Sequence, residues 1–208
     1  MTTVAALLPS SLDAAIAAML PVAVAPKAVP FAPLTSGQRL VLAEDGVYLE
    51  AAHSALYARL RLVGGKFPYG ALSESLSLPS GPIPRALYDQ LLADSLEAYP
   101  NEMAALVIAT PDGYALHRPT AKATAGSVRY DDHGYGDHPL VIDAHSHGHH
   151  AAYFSRMDDE SDRSRTGPYV SVVFGNCSSP ERVNACLRVC VAGYLIPLPL
   201  PTLRSLFA

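Results

Sequence analysis

From residue 85 onward the hydrophobic and polar positions follow two periods, one helical and one alternating. In "RALYDQLLADSLEAY" (85 to 99), Tyr88, Leu92, Leu96 and Tyr99 recur at helical spacing. Leu91 widens that stripe, and Asp89, Gln90, Asp94 and Glu97 supply a polar side. This predicts an amphipathic helix, with Pro84 in its first turn and Pro100 ending it. "MAALVIA" (103 to 109), the turn "PDG" and "YALHR" (114 to 118) predict a hairpin, and "GSVRY" (126 to 130) a further short strand. "PLVIDAHSH" (139 to 147) reads as a largely buried strand whose far end turns polar, and "PYVSVVFG" (168 to 175) as another strand. "VNACLRVCVAG" (183 to 193) fits a strand, with Val183, Ala185, Leu187 and Val189 on one face. It also fits a helix, because Cys186 and Cys190 make its other face apolar.

The first eighty residues are patterned differently. Residues 1 to 36 are rich in Ala and Pro, and "AAIAAMLPVAVAP" (14 to 26) predicts a short packing helix followed by an extended segment. "QRLVLAEDGVYLEAA" (38 to 52) places two apolar runs around Asp45-Gly46, a hairpin signal that "YARLRLV" extends. "GGKFPYG" and "LPSGPIP" are breaks, so a boundary falls near residue 80. The chain therefore divides into an N-terminal extension or small accessory domain, 1–80, and a main domain, 81–208. Helix first and strands afterwards imply an α/β fold, one mixed layer around a single sheet.

Composition narrows the function classes. The chain has 208 residues, half of them hydrophobic and 16% charged, enough for one substantial core and too apolar for global disorder. A net charge of -4 with no Lys/Arg stripe gives no basis for binding nucleic acid. The apolar run at 14 to 26 lacks a preceding Lys or Arg, has Asp13 at its edge, and is broken by Pro21 and Pro26. Neither a signal peptide nor a membrane span is expected from it. Cys177, Cys186 and Cys190 are expected to be reduced thiols, which suits a cytoplasmic location.

The chemistry concentrates in "VIDAHSHGHHAAYFSRMDDESD" (141 to 162). His145 and His147, two apart in an extended segment, leave the same face, and Ser146 points the other way. A hydrolytic zinc site needs three protein ligands and an open position, and Asp158 is the leading third candidate. "SRMD" (155 to 158) has the form of a helix N-cap with an acid three residues on, which would fix Asp158 and hold Ser155 close. The same tetrapeptide also fits plain capping of a surface helix. Asp159, Glu160 and Asp162 read as a solvated acidic run. Asp143 faces the same way as His145, as a possible support for its second nitrogen. A general base is also required; Glu102 and Glu50 each stand at a strand end, and spacing alone leaves both open.

The set "HSHGHHAAYFSRMD" resembles the H-x-H-x(7)-S-x-x-D signature of the JAMM (JAB/MPN+) zinc metalloproteases, and "AYPNEMAALVI" (98 to 108) is similar to the segment that carries their catalytic glutamate. The resemblance covers roughly residues 82 to 200. It implies a JAB/MPN-type, cytidine-deaminase-like α/β fold with a curved mixed sheet flanked by helices. It further implies one zinc ion on His145, His147 and Asp158, with Glu102 as base and Ser155 beside the oxyanion. After Glu102 this chain has Met103, Ala104 and Ala105 where many members have a glycine-containing run. A narrower likeness is to a bacterial branch encoded beside a ThiF/E1-like protein and several small partners. The implied activity is hydrolysis of a peptide or isopeptide bond in a protein or peptide substrate, such as a ubiquitin-like tail. The alternatives are a silent scaffold for an E1-like or ubiquitin-like partner, and a small-molecule amide hydrolase.

Overall fold

The computed structural model describes residues 11–130 and 134–208. In chain order it forms α1 (Ser11–Met19), β1 (Val22–Val24), β2 (Gly37–Ala43), β3 (Gly46–His53), β4 (Leu56–Gly64) and β5 (Ser75–Ser77). Then come α2 (Arg85–Ala98), β6 (Ala104–Thr110), β7 (Gly113–His117), β8 (Ala121–Thr124), β9 (Ser127–Tyr130) and β10 (Leu140–Ser146). The chain closes with α3 (Arg156–Ser164), β11 (Tyr169–Gly175), β12 (Asn184–Val191), β13 (Tyr194–Leu198) and α4 (Pro201–Leu206). The fold is mixed α/β, and among the described residues its strands make three sheets: the small N-terminal sheet and the main-domain sheet that the sequence suggested, and a separate pair that it did not. These are β1-β2-β3-β4-β5, β13-β12-β11-β10-β6-β7, and the separate pair β8-β9.

The N-terminal sheet is antiparallel apart from β1, which runs parallel to β2. The pairing of Ala43 with Gly46 makes Glu44 and Asp45 the two turn residues. Glu50, completely buried, accepts hydrogen bonds from Arg39 at 2.6 Å and from the Tyr57 hydroxyl at 2.6 Å. Its charge is compensated there, in the N-terminal sheet, so it is not free to act as a base. The described side chains of α1 (Ala14, Ala15, Ala17, Ala18 and Met19) lie at the surface, and the expected packing positions Leu12 and Ile16 fall outside the described side chains.

The six-stranded sheet separates an apolar face from a polar one. Ala105 and Val107 of β6, Ile142 and Ala144 of β10, Val170, Val172 and Phe174 of β11, and Leu187 and Val189 of β12 join one core. That core also takes Leu91 of α2 and Leu49, Ala51, Leu56 and Ala58 from the N-terminal sheet, so the two sheets share their interior. On α2 the expected Leu91 is buried and Tyr88 packs against the core, but the next inward position is Ser95, while Leu92 and Leu96 are half-buried. Ser95 can lie inside because its hydroxyl donates to the Leu91 carbonyl at 2.8 Å. Tyr99, expected on the same stripe, is 41% exposed. The segment left open between strand and helix is a strand: β12 pairs with both β11 and β13.

Strand alternation then dictates the opposite face. Asp143 and His145 of β10, Ser171 of β11 and Arg188 of β12 are buried and occupy the positions alternate to the core set. Helix α3 and the β8-β9 hairpin lie over this polar face.

Candidate metal centre

β10 is central, paired in parallel with β11 and antiparallel with β6. Its pairing continues one residue beyond the strand, where the His147 amide donates to the Phe174 carbonyl at 2.8 Å. His145 and His147 consequently project from one face, 6% and 5% exposed. Ser146 turns the other way, and its Oγ accepts from the Met103 amide at 3.0 Å. That bond ties the histidine strand to the residue that follows Glu102.

The turn after His147 depends on Gly148, which has φ +50°, and a Cβ there would lie 2.3 Å from the Pro100 carbonyl oxygen. Gly148→Ala is expected to cost about 2 kcal/mol or more, from the left-handed backbone and the clash together. Urea unfolding will measure it.

Helix α3 delivers the acid. Ser155 is its N-cap: Oγ accepts from the Asp158 amide at 3.2 Å, and the Ser155 amide donates to Asp158 Oδ2 at 2.6 Å. This is a complete capping box. Capping and placement turn out to be the same feature, because the box aims Asp158 at the histidines. His145 Nε2 lies 3.2 Å from Asp158 Oδ1, His147 Nε2 lies 3.7 Å from Oδ2, and the two Nε2 atoms are 3.3 Å apart. Among the described residues these three form the one group of potential ligand atoms that converge, all within 4.8 Å of one another. Tetrahedral donors at 2.0–2.1 Å from a shared ion would be about 3.3 Å apart. The two separations made by His145 Nε2 match that edge length, the 3.7 Å from His147 to the other carboxylate oxygen is longer, and two imidazoles with a carboxylate suit zinc.

Burial alone would depress His145, but the hydrogen-bonded Asp158 carboxylate outweighs it and the pKa lies above the ordinary 6.5. Burial likewise opposes the charged form of Asp158, and the two histidines overcome it, holding this carboxyl well below its usual range. In metal-free protein the Asp158 contribution is present above about pH 3.8 and is lost as pH falls toward its folded value. The His145 contribution is present below about pH 6.5 and is lost as pH rises through its folded value. The pair therefore supports the apo fold most between those limits, and urea midpoints of Asp158→Asn protein are expected to lose that pH dependence.

Glu102 is 6% exposed and shares a cavity of about 100 Å³ with His147, Ser155 and Asp158. Burial pushes its carboxyl up, against the pull of His147 and His145. The hairpin covers this side: the Glu102 amide donates to the Thr124 carbonyl at 2.9 Å. His149 and His150 are exposed, their rings tilted against each other at 4.1 Å; neither is among the converging ligands, although His150 lines the cavity that holds Glu102. His138 is exposed in a loop, and His133 lies outside the described residues.

Three expectations change. Asp143 meets neither histidine: it accepts from the Tyr130 hydroxyl at 2.6 Å and from Arg165. His147 Nδ1 is buried without a hydrogen-bond partner, so the expected support for its second nitrogen is missing. The acidic run is solvated only at Glu160, which is exposed. Asp162 is 4% exposed and takes two bonds from Arg188, at 2.6 and 2.8 Å, while Asp159 takes one at 2.5 Å. Arg188 also lies over the Phe154 ring at 3.7 Å. This arginine, which the sequence did not single out, clamps both sides of the helix start that carries Asp158. Arg188→Leu leaves the buried Asp162 carboxylate without its cation, held by the Tyr169 hydroxyl at 2.8 Å, and a loss of about 3–5 kcal/mol is expected by urea unfolding.

The fold and cluster together define a mixed α/β domain with a candidate metal site, and family comparison agrees. Residues 84–189 match the prokaryotic homologs of the JAB domain, and the chain belongs to that family. Residues 10–79 match a domain of unknown function, DUF2016. No curated protein matches the chain. The three cysteines are free thiols, and no described helix is long and apolar enough to cross a membrane.

Proposed function

We propose that this chain is a JAMM-type zinc peptidase or isopeptidase, with one zinc ion held by His145, His147 and Asp158. The observation that carries the proposal is the convergence of two buried imidazole nitrogens and one carboxylate, within 4.8 Å of one another, beside a buried glutamate. A zinc ion held there supplies a Lewis acid that lowers the pKa of water and polarises a carbonyl. Glu102 takes the proton from the attacking water and returns it to the leaving amine. Its raised pKa suits both halves of that exchange. Ser155 Oγ accepts from the Asp158 amide, which leaves its own proton to donate to the carbonyl oxygen as negative charge grows. Arg188 keeps Asp158 and Ser155 in place.

The finer kinship is with protein A of the PRTRC system, on the motifs "PYG", "PNEMAALV", "DAHSHG" and "AYFSRMDDESD". It carries with it the cytidine-deaminase-like curvature of the sheet and a ThiF/E1-like or ubiquitin-like partner. Free thiols favour a cytoplasmic setting. The test combines elemental analysis with incubation of zinc-loaded protein with a random peptide library and with isopeptide-linked ubiquitin-like conjugates. One zinc per chain and chelator-sensitive cleavage are expected. A fully zinc-loaded protein that cuts no amide bond in either set would leave a scaffold in place of an enzyme.

A further inference from the structure

The cluster does not sit in an isolated pocket. Beside it, between β9 and α3, lies a cavity of about 430 Å³ that includes Glu160, Ser161, Ser164 and Arg165. Ser164 and Arg165 also line the next cavity, about 560 Å³, with Leu140, Thr166 and Pro168. His53 is common to that cavity and to a third, about 630 Å³, on the N-terminal sheet, where Phe31, Leu34, Tyr57 and Pro79 form the walls. The narrow cavity holding Glu102 meets the first at Val128, Met157 and Asp158. Four cavities thus abut in a row, from Glu102 to the domain of unknown function.

The junction at His53 is fixed. Its Nδ1 accepts from the Ala55 amide at 3.0 Å, so Nε2 carries the proton toward the Pro168 carbonyl at 2.9 Å. This ties the β3-β4 turn of the N-terminal sheet to the loop that leads from α3 into β11.

We infer that the row is one docking groove for an extended polypeptide segment, and that the N-terminal sheet recognises that segment while the cluster acts on it. The inference rests on the peptidase reading for the end that reacts. Three arguments select the occupant. A single small ligand fills one cavity of about 300–1,000 Å³, whereas this is a succession of them. Cavities of these volumes are each roughly 8 Å across, so the three larger ones hold about seven extended residues. Hydroxyl side chains line both ends of the row, but the four acids near the cluster give way to Phe31, Leu34, Tyr57 and two prolines at the far end, which has no acid. That gradient fits a chain with small or polar residues at the reacting bond and a bulky apolar anchor several residues away. A nucleic acid would need a run of unopposed cations, and here Arg165 is paired with Asp143 while Arg59 donates to the Ser73 carbonyl at 2.8 Å.

Exposed positions in the outer cavities allow a test away from the chemistry. Ser54 lines the third cavity and Thr166 the second, both with exposed side chains. Zinc-loaded Glu102→Gln full-length protein is passed over a random library of twelve-residue peptides, and retained members are identified by mass spectrometry. A retained peptide is labelled and titrated by fluorescence anisotropy against the same protein and against versions carrying Ser54→Trp or Thr166→Trp, after matched thermal melts. Both substitutions are expected to weaken binding at least tenfold, and trimming the peptide from its apolar end should do the same. Retention of no peptide, or unchanged affinity in both variants, overturns the groove. Weakening by Thr166→Trp alone overturns the role of the N-terminal sheet. A peptide that binds in this way but survives incubation with zinc-loaded wild-type protein overturns the peptidase reading and leaves the groove standing.

Discussion

Glu102→Gln protein is expected to load zinc like the wild type and to lose at least about a hundredfold in kcat, within the usual range for a missing general base. The substitution keeps shape and polarity but removes the carboxylate proposed to take the proton. Glu102 lies in the small cavity with His147 and Asp158 and is not one of the three converging ligands. Metal content and turnover therefore separate cleanly. Elemental analysis and single-peptide kinetics on the same preparation make the check, and a variant that cleaved at the wild-type rate would remove Glu102 from the mechanism. The wild-type pH–rate profile should show an acid limb from Glu102, whose carboxyl burial pushes up in the metal-free protein. That limb should be absent from the residual activity of the variant.

Removing a ligand acts on a different observable. Zinc at a hundred times its Kd stabilises a protein that binds it only when folded by about 2.7 kcal/mol. For a chain of this size that corresponds to a rise in Tm of about 5–10 °C. Wild-type protein should show this rise on adding zinc and lose it on adding a chelator. Asp158→Ala and His145→Ala should show none at the same concentration. Ser155→Ala should keep part of the rise, because its amide still reaches Asp158 while the hydroxyl bond to the helix start is gone. Differential scanning fluorimetry with and without chelator tests all four proteins. An equal zinc shift in Asp158→Ala would place the ion elsewhere.

The parts of the site that were legible in the sequence are those governed by short-range geometry. Two residues of strand spacing put His145 and His147 on one face, and S-x-x-D marks a helix start that orients Asp158. What escaped was set by partners far along the chain. Asp162 looked solvated because its neighbours are polar, and it is buried because Arg188, 26 residues away, pairs with it. Asp143 has the right direction to support His145, but Tyr130 on the hairpin and Arg165 take both its oxygens. On α2 Tyr88 and Leu91 were legible, but Ser95 was not, because it hides its hydroxyl in the helix's own backbone while Leu92 remains only half-buried. Strand β8 shows no alternation, all four of its residues being exposed, so nothing in its pattern marks it. The cluster of cavities that reaches the N-terminal sheet depends on both halves being folded against one another and has no local signature at all.

The bonds between Ser155 and Asp158 need no ion to form. Together with Arg188 they anchor the acid before any metal arrives, so loading the site does not require the chain to fold around its cargo, as a zinc finger must. Chelation should accordingly leave an intact vessel whose far-ultraviolet dichroism is unchanged. Activity should return on simple addition of zinc, with little ordering entropy to oppose capture.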